Sequence, residues 1–310
     1  MSRSIFAQSQ FNDEAAAYAY VEARLWPDGP ICPHCGVIGK AGKLSGKTDR
    51  IGSYKCYACR KKFSIKVGTI FEASHIQMRD WLTAIHLICS SKKGFSANQL
   101  SRTLGITLKS AWFLGHRIRE AMRSGDLSPL GGDGRTVEVD ETYIGRVKGI
   151  PKRRGSAQHK NMVLTLVERG GAARSFHVDG KAISDIMPIV RENVARESRI
   201  NTDEAKHYYD VSKEYAAHDT VNHAREEYAR YEGDRLITSN TVEGYYSIFK
   251  RGMKGVYQHC SEKHLHRYLA EFDFRYSNRS ALGAEDRERA SKALEGVVGK
   301  RLTYQTAGRV

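Results

Sequence analysis

The sequence lacks any apolar run long enough to cross a membrane. A spanning helix needs about 18 or more consecutive apolar residues, and no such stretch occurs. The first residues, Met1 to Phe6, lack the apolar core of a secretory signal peptide. No basic amphipathic helix stands out as a surface anchor. We therefore exclude membrane-spanning and secreted classes and expect a cytoplasmic protein without a membrane partner.

Acidic residues are in short supply. The 310 residues include 35 Asp and Glu against 50 Lys and Arg, which gives a formal net charge of +15. Such a surplus favours polyanionic partners, and nucleic acid is the main candidate. Hydrophobic and charged contents are ordinary for a globular protein, and the length allows two or three domains. Internal repeats and low-complexity tracts are absent, so a repeat architecture is excluded.

Cysteine is also scarce, and four of the six cysteines are paired. Cys32 and Cys35 form one Cys-X-X-Cys unit, and Cys56 and Cys59 form another. Two such turns complete a tetrahedral Zn²⁺ site, and four thiolates leave no position open for water. The sequence therefore predicts a structural zinc ribbon, with His34 facing solvent. We expect Cys89 and Cys260 to be ordinary residues.

Two short helical patterns follow the ribbon. Phe95–Leu104 predicts a helix capped by Ser96, residues 105–107 form a turn, and Leu108–Arg119 predicts a second helix. This spacing is typical of a helix-turn-helix, whose second helix enters the major groove. A plain helical hairpin with a solvated basic face is the alternative. In the helix-turn-helix interpretation Lys109 and Ser110 face the bases, and Arg117 and Arg119 contact phosphates.

A Gly-rich linker at residues 124–134 separates these helices from a strand-rich region. Period-two alternation predicts strands, and Arg169-Gly170-Gly171 predicts a hairpin between two of them. Helical periodicity then alternates with further strands. The predicted strands are 136–144, 161–168, 173–178, 199–203 and a short one at 220–223; the predicted helices are 181–194, 241–253 and 264–274.

Three acidic residues fall at positions suited to a shared metal site. Asp140 lies in the first strand, Asp203 ends the fourth, and Glu243 opens a helix. Carboxylates from two neighbouring strands and one helix can converge on a mixed sheet. Phosphoryl transfer by two metal ions needs such carboxylates, and oxygen ligands suit Mg²⁺.

Each of these assignments has an alternative. Alternation places Glu138 on the same strand face as Asp140, whereas Glu141 points the other way. Asn240 lies three residues before Glu243 and therefore on the same helical side. The alternatives to Asp203 are Asp179 and Glu204, and His223 is a further candidate to face the site.

Three segments carry a family resemblance. The strings VEVDETYIG, TDEAKHY and SNTVEGYYSIFKRGMKGVYQHCSEKHLHRYLAEFDFRYSNR resemble bacterial insertion-sequence transposases of the ISXO-like, Merlin-related group. That group joins a zinc ribbon to a DDE domain. The resemblance implies an α/β fold, with an RNase H-like mixed five-stranded sheet and flanking helices after a zinc ribbon and a helix-turn-helix region. It implies that Asp140, Asp203 and Glu243 are the catalytic ligands, and that Lys250, about two helical turns after Glu243, holds DNA nearby.

The resemblance also implies domains and activity. We expect a helix and zinc ribbon at 1–75, a helix-turn-helix region at 76–125, a catalytic domain at 135–280 and a polar tail at 281–310. The implied protein binds the terminal inverted repeats of its element and cleaves and joins DNA with Mg²⁺ or Mn²⁺. Its partners are element and target DNA, and it acts as a homo-oligomer on the nucleoid. The alternatives are a non-catalytic DNA-binding regulator and an RNase H-type nuclease.

Overall fold

The computed structural model describes residues 4–126, 128–154, 156–180, 182–203, 213–221 and 229–302. The chain forms two compact units. The first unit comprises Met1–Ser91, Phe95–Arg123 and Glu285–Val310, and the second comprises Lys92–Gly94 and Ser124–Ala284. Among the described residues, no helix combines the length and apolarity needed to cross a bilayer.

The first unit begins with helix α1 and a small sheet. Helix α1 spans Glu14–Leu25, and Asp13 caps it by accepting a hydrogen bond from the Ala16 amide at 2.7 Å. An antiparallel three-stranded sheet follows in the order β1-β2-β3. Its strands are β1 (Ala41–Lys43), β2 (Ser53–Cys56) and β3 (Lys62–Ser64).

The four paired cysteines meet beside this sheet. The Sγ atoms of Cys32 and Cys59 lie 3.7 Å apart, as do those of Cys35 and Cys56, and all four lie within 4.8 Å of one another. A Zn–S distance of about 2.3 Å places the sulfurs of a tetrahedral site about 3.8 Å apart. The cluster therefore fits a structural zinc ion. His34 is exposed, and its Nε2 lies 3.3 Å from the carbonyl oxygen of Lys62.

The helical core of the first unit contains the two helices and the turn predicted between residues 95 and 119. Helix α2 (Met78–Ser90) buries Trp81, and α3 (Ala97–Leu104) and α4 (Leu108–Ala121) follow. Ser96 and Gln99 form a capping box at the start of α3, and Gly105 ends it with a left-handed φ of 65°. In the segment expected to be a polar tail, helix α8 (Asp286–Glu295) packs against α2.

On helix α4, two of the four residues predicted to contact DNA are buried instead of exposed. Lys109 is exposed and Ser110 half-buried at its first turn. Arg117 and Arg119, however, are only 6% and 4% exposed. The guanidinium of Arg117 donates from Nε and Nη2 to the carbonyl of Leu302 at 3.2 and 3.0 Å. These two cations face the interior of the unit and are not presented to DNA phosphates.

The second unit contains the predicted mixed sheet. Its five strands are β4 (Thr136–Ile144), β5 (Asn161–Glu168), β6 (Ala173–Val178), β7 (Arg199–Asp203) and β8 (Ala217–Val221), in the order β6-β5-β4-β7-β8. Strands β4, β5 and β6 are antiparallel neighbours, whereas β7 is parallel to both β4 and β8. This arrangement confirms the predicted α/β fold with a five-stranded mixed sheet.

Helices cover both faces of the sheet. On one face α5 (Ile183–Asn193) packs Ile186, Met187 and Val190 against the strands. On the other face lie α6 (Asn240–Gly252) and α7 (Leu265–Ser277), with Phe249 and Phe272 buried. A hairpin of β9 (Ala229–Glu232) and β10 (Arg235–Thr238) leads into α6.

The sulfur geometry predicts one zinc ion per chain. Cys35→Ser should reduce bound zinc from about one ion per chain towards zero and unfold the small sheet, because metal binding supplies its folding free energy. Metal analysis of purified protein measures the content, and Cys260→Ser is the matched control that should retain zinc. Full occupancy in a Cys32→Ser/Cys56→Ser double variant would contradict the assignment.

Candidate active site

A cavity of about 410 Å³ opens beside the sheet of the second unit. The three acidic residues singled out in the sequence line it together, although they come from β4, β7 and α6. Hydroxyl groups and one cation complete its wall. The lining residues are Asp140, Asp203, Ser239, Glu243, Tyr246, Ser247 and Lys250.

The sheet brings Asp140 and Asp203 to one place. Strand β7 runs parallel to β4, with Glu138 opposite Asn201, so both strands progress towards the same edge of the sheet. Asp140 lies two residues beyond Glu138, and Asp203 two residues beyond Asn201. Parallel pairing therefore places two carboxylates side by side, which the order of the chain alone does not show.

The environment of Asp140 disfavours its charged form. Burial raises the pKa of its carboxyl to about 8, and the negative charges of Glu141, Asp203 and Glu243 add to the rise. A hydrogen bond from the Glu141 amide to Oδ1, at 2.7 Å, acts in the opposite direction. Carboxylates crowded in this way bind a cation well, because a cation relieves both burial and repulsion.

Glu138, the alternative to Asp140, has a different environment. Its side chain is fully buried, and its oxygens accept hydrogen bonds from the Thr241 amide, the Thr241 hydroxyl and the Val242 amide at 2.7–2.9 Å. Arg169 donates to it at 2.7 Å and also donates to the carbonyls of Leu236 and Thr238. Glu138 therefore binds the first turn of α6 to β4 and does not line the cavity.

Helix α6 carries the remaining charged groups of the site. Glu243 lies in its first turn, and the Ser239 hydroxyl donates to Glu243 Oε1 at 2.8 Å. Lys250 lines the same cavity about two turns later, with Nζ 5.5 Å from the ring centroid of Tyr246. The Tyr246 hydroxyl donates to the main-chain oxygen of Asp140 at 2.5 Å, so α6 and β4 are also connected beside the site.

The other sequence candidates fall elsewhere. Asn240 is exposed at the start of α6 and is not part of the cavity wall. Asp179 is 92% exposed and follows β6. Glu204 and His223 lie outside the described residues.

Sequence reasoning missed the loop between β4 and β5. Residues 145–160 contain six Lys and Arg residues and no Asp or Glu. A count of charged residues over positions 145–160 is enough to identify this basic loop in the sequence. Its exposed cations add positive charge to the surface of this unit. They are Arg146, Lys148, Lys152, Arg153 and Arg154.

The donor set of the cavity suits hard divalent cations. All three acidic side chains offer oxygen ligands, which Mg²⁺ and Mn²⁺ prefer.

The raised pKa of Asp140 predicts a pH effect on stability without added divalent cations. Because its folded-state pKa lies above its ordinary value of 3.8, the stability contribution is complete below about pH 4 and is lost as pH rises through about 8. Asp140→Asn should therefore flatten the fall in melting temperature between pH 5 and 9. Added Mn²⁺ should stabilise the native protein at pH 8 and the variant much less. An unchanged slope in the variant would contradict this, and Asp234→Asn on an exposed turn is the control.

The network of Glu138 predicts a loss of both stability and cation binding. Glu138→Gln removes the acceptor oxygen that faces Arg169 or the amides of α6 and turns amide hydrogens towards these donors. We expect a loss of about 3 kcal/mol in the free energy of unfolding, measured by denaturant titration. The rise in melting temperature on addition of Mn²⁺ should shrink as well, because Glu243 loses its fixed position. Asp234→Asn, which changes an exposed side chain, should alter neither quantity; equal behaviour of the two variants would refute the positioning role.

Comparison with known proteins agrees with the site geometry. Residues 129–277 match the ISXO2-like transposase domain, and residues 12–62 match the transposase zinc-ribbon domain. A protein of Halobacterium salinarum (strain ATCC 700922 / JCM 11081 / NRC-1), described as an uncharacterized protein in transposable element ISH50, is 26% identical over 273 residues. That match covers 81% of this chain and 86% of the relative. The chain thus belongs to the insertion-sequence transposases that join a zinc ribbon to an ISXO2-like transposase domain.

Proposed function

We propose that this transposase binds the ends of its DNA element, cleaves them and joins them to target DNA. The observation that carries the proposal is the single cavity shared by Asp140, Asp203 and Glu243 within the transposase domain. These are the residue types and elements from which a two-metal phosphoryl-transfer site is built. The proposed ligands would hold Mg²⁺ or Mn²⁺.

When bound, a metal pair supplies stabilisation of the negative charge that develops on the attacking and leaving oxygens. Asp140 must give up its proton before it can act as a ligand, since its pKa is raised to about 8. Glu243 is held by Ser239 at the start of α6. Lys250 offers a positive charge to a phosphate at the far side of the cavity.

The reaction has a hydrolytic step and a transfer step. Water first attacks phosphorus at the element end, the P–O bond to the 3′ oxygen breaks, and that oxygen takes up a proton, which leaves a 5′-phosphate and a free 3′-hydroxyl. This 3′-hydroxyl then loses its proton as it attacks a phosphorus atom of target DNA, and the displaced 3′ oxygen of the target takes up a proton, so one phosphodiester bond replaces another. No covalent enzyme intermediate is needed in either step.

Recognition of DNA is assigned to other parts of the chain. We propose that the ribbon and helix-turn-helix read the terminal inverted repeats, with Lys109 and Ser110 at the start of α4 facing the bases. The basic β4–β5 loop supplies sequence-independent phosphate contacts. Two ends must be held together for joining, which requires at least two copies of the chain.

Neutral amide variants test the catalytic assignment. Asp140→Asn, Asp203→Asn and Glu243→Gln should each lower cleavage and strand transfer by at least about a thousandfold, because each keeps side-chain shape and removes a charge that the cations require. Cleavage of labelled end DNA with Mg²⁺ or Mn²⁺ measures the rate, and gel-shift titration should show DNA binding retained. Asn240→Ala is the matched control on α6 and should lose much less.

Other outcomes identify the alternatives. Specific binding of end DNA by the native protein without cleavage would indicate a regulator. Cleavage of RNA–DNA hybrids without strand transfer would indicate an RNase H-type nuclease. Near-normal activity of Glu243→Gln together with an inactive Asn240→Ala would move the third ligand to Asn240.

A further inference from the structure

A second cavity, of about 220 Å³, lies in the same unit at the far end of β4. Its wall is formed by the end of β4, the start of β5 and the segment after α6. None of these residues belongs to the carboxylate cavity. The side chains that carry the argument are Tyr143, Lys160, Asn161, Lys254 and Cys260.

The polar groups of this cavity favour the binding of a ligand. Asn161 is only 4% exposed, and its Oδ1 has no hydrogen-bond partner. A buried amide oxygen without a partner costs about 1–3 kcal/mol, so such a group is usually found where a ligand or water completes it. Within the part of the chain that the structure describes, neither Lys160 nor Lys254 forms an ion pair. The cavity therefore offers two cations and one buried acceptor.

The backbone at this cavity is unusual. Helix α6 changes at Met253–Tyr257 into one turn of π-helix, and Gln258 follows with φ 57° and ψ −53°. A π turn and a non-glycine residue at positive φ both occur preferentially at functional sites, where the surrounding structure holds the backbone in a strained conformation. Lys254 lies in that π turn, four residues after Lys250 of the carboxylate cavity.

Tyr143 lines the second cavity and shares strand β4 with Asp140 of the carboxylate cavity. It is 36% exposed and lies three residues after Asp140. The negative charges of Glu141, Asp140 and Asp203 add to the rise in the pKa of its hydroxyl that burial causes. A partly exposed aromatic side chain that shares a cavity with two lysines is an arrangement on which proteins stack unpaired nucleic-acid bases.

We propose that this second cavity receives one unstacked nucleotide of the DNA strand whose phosphate lies at the carboxylate site. The base lies against the ring of Tyr143, its amino edge donates to Asn161, and Lys160 and Lys254 hold the adjoining phosphate. A single base removed from its stack can enter a cavity of this size. The inference rests on the proposed function, since it assumes that element ends bind in this unit.

Abasic scanning tests the proposal with the full-length protein. The probe is end-sequence duplex with a short single-stranded overhang beyond the cleavage point, bound without Mg²⁺ so that it stays intact. Single abasic sites are placed at each overhang position. At one position the native protein should lose affinity by about 5- to 150-fold, the range expected for one base–aromatic stack. In Tyr143→Ala that loss should disappear, whereas Tyr143→Phe should retain it.

A substitution of another exposed tyrosine serves as the control for effects on folding that are unrelated to base stacking. Tyr231 on β9 is 72% exposed, and Tyr231→Ala should behave as the native protein. Bound overhang DNA should also protect the half-buried Cys260 from alkylation, measured by mass spectrometry, whereas free deoxynucleotide at the same concentration should not. Protection by the free nucleotide alone would indicate a small-molecule site and overturn the proposal.

Failure of this inference differs from failure of the proposed function. If every abasic position affects native protein and Tyr143→Ala equally while cleavage is normal, the second cavity does not hold a base. If the native protein neither binds nor cleaves end DNA, the proposed function itself is wrong.

Discussion

The geometry of the candidate active site depends on the buried carboxylate of Glu138. Helix α6 has no side-chain cap of its own at Ser239, and its first amides instead donate to an acid on β4, more than one hundred residues earlier. The partial positive charge of a helix N-terminus stabilises that acid, and Arg169 completes the neutralisation. This one group determines where α6 begins relative to β4, and therefore where Glu243 and Lys250 stand.

Glu138 and Asp140 lie on the same face of β4 but differ in role, because they differ in their hydrogen-bond partners. Glu138 is fully buried, yet four donors satisfy its two oxygens. Asp140, two residues later, receives one amide hydrogen bond and faces three other acids, so its charge is disfavoured until a cation arrives. Strand alternation places Glu138 and Asp140 on the same face of β4. The contacts with α6 and Arg169 engage Glu138, so Asp140 is the acid that lines the cavity.

The same distinction explains what the sequence could predict. The first four strands of the sheet, the helix pair and the paired cysteines are local patterns, and the structure agrees with their positions because period and spacing determine them. The fifth strand is Ala217–Val221, which begins earlier than the predicted 220–223, and strands β9 and β10 are not among the predicted strands. The roles of Glu138 and of Arg117 are not local. Glu138 finds its donors on α6, Arg117 finds its acceptor at Leu302, and a similar long-range cap joins Glu14 to the first amides of α2. A count of basic residues along α4 cannot show which of them point inward.

The proposed chemistry requires basic side chains as well as the three carboxylates in the second unit. Phosphates and the Asp140–Asp203–Glu243 carboxylates repel each other, so the cavity alone would drive DNA away. Cations must therefore come from outside the acidic cluster, and the chain provides Lys250 on the cavity wall and exposed Lys and Arg residues in the loop after β4. A surplus of +15 over the whole chain attracts DNA at long range, where it is screened by salt. In the proposed mechanism, only divalent ions allow a phosphate to lie close to three carboxylates, so the proposal separates DNA binding from catalysis.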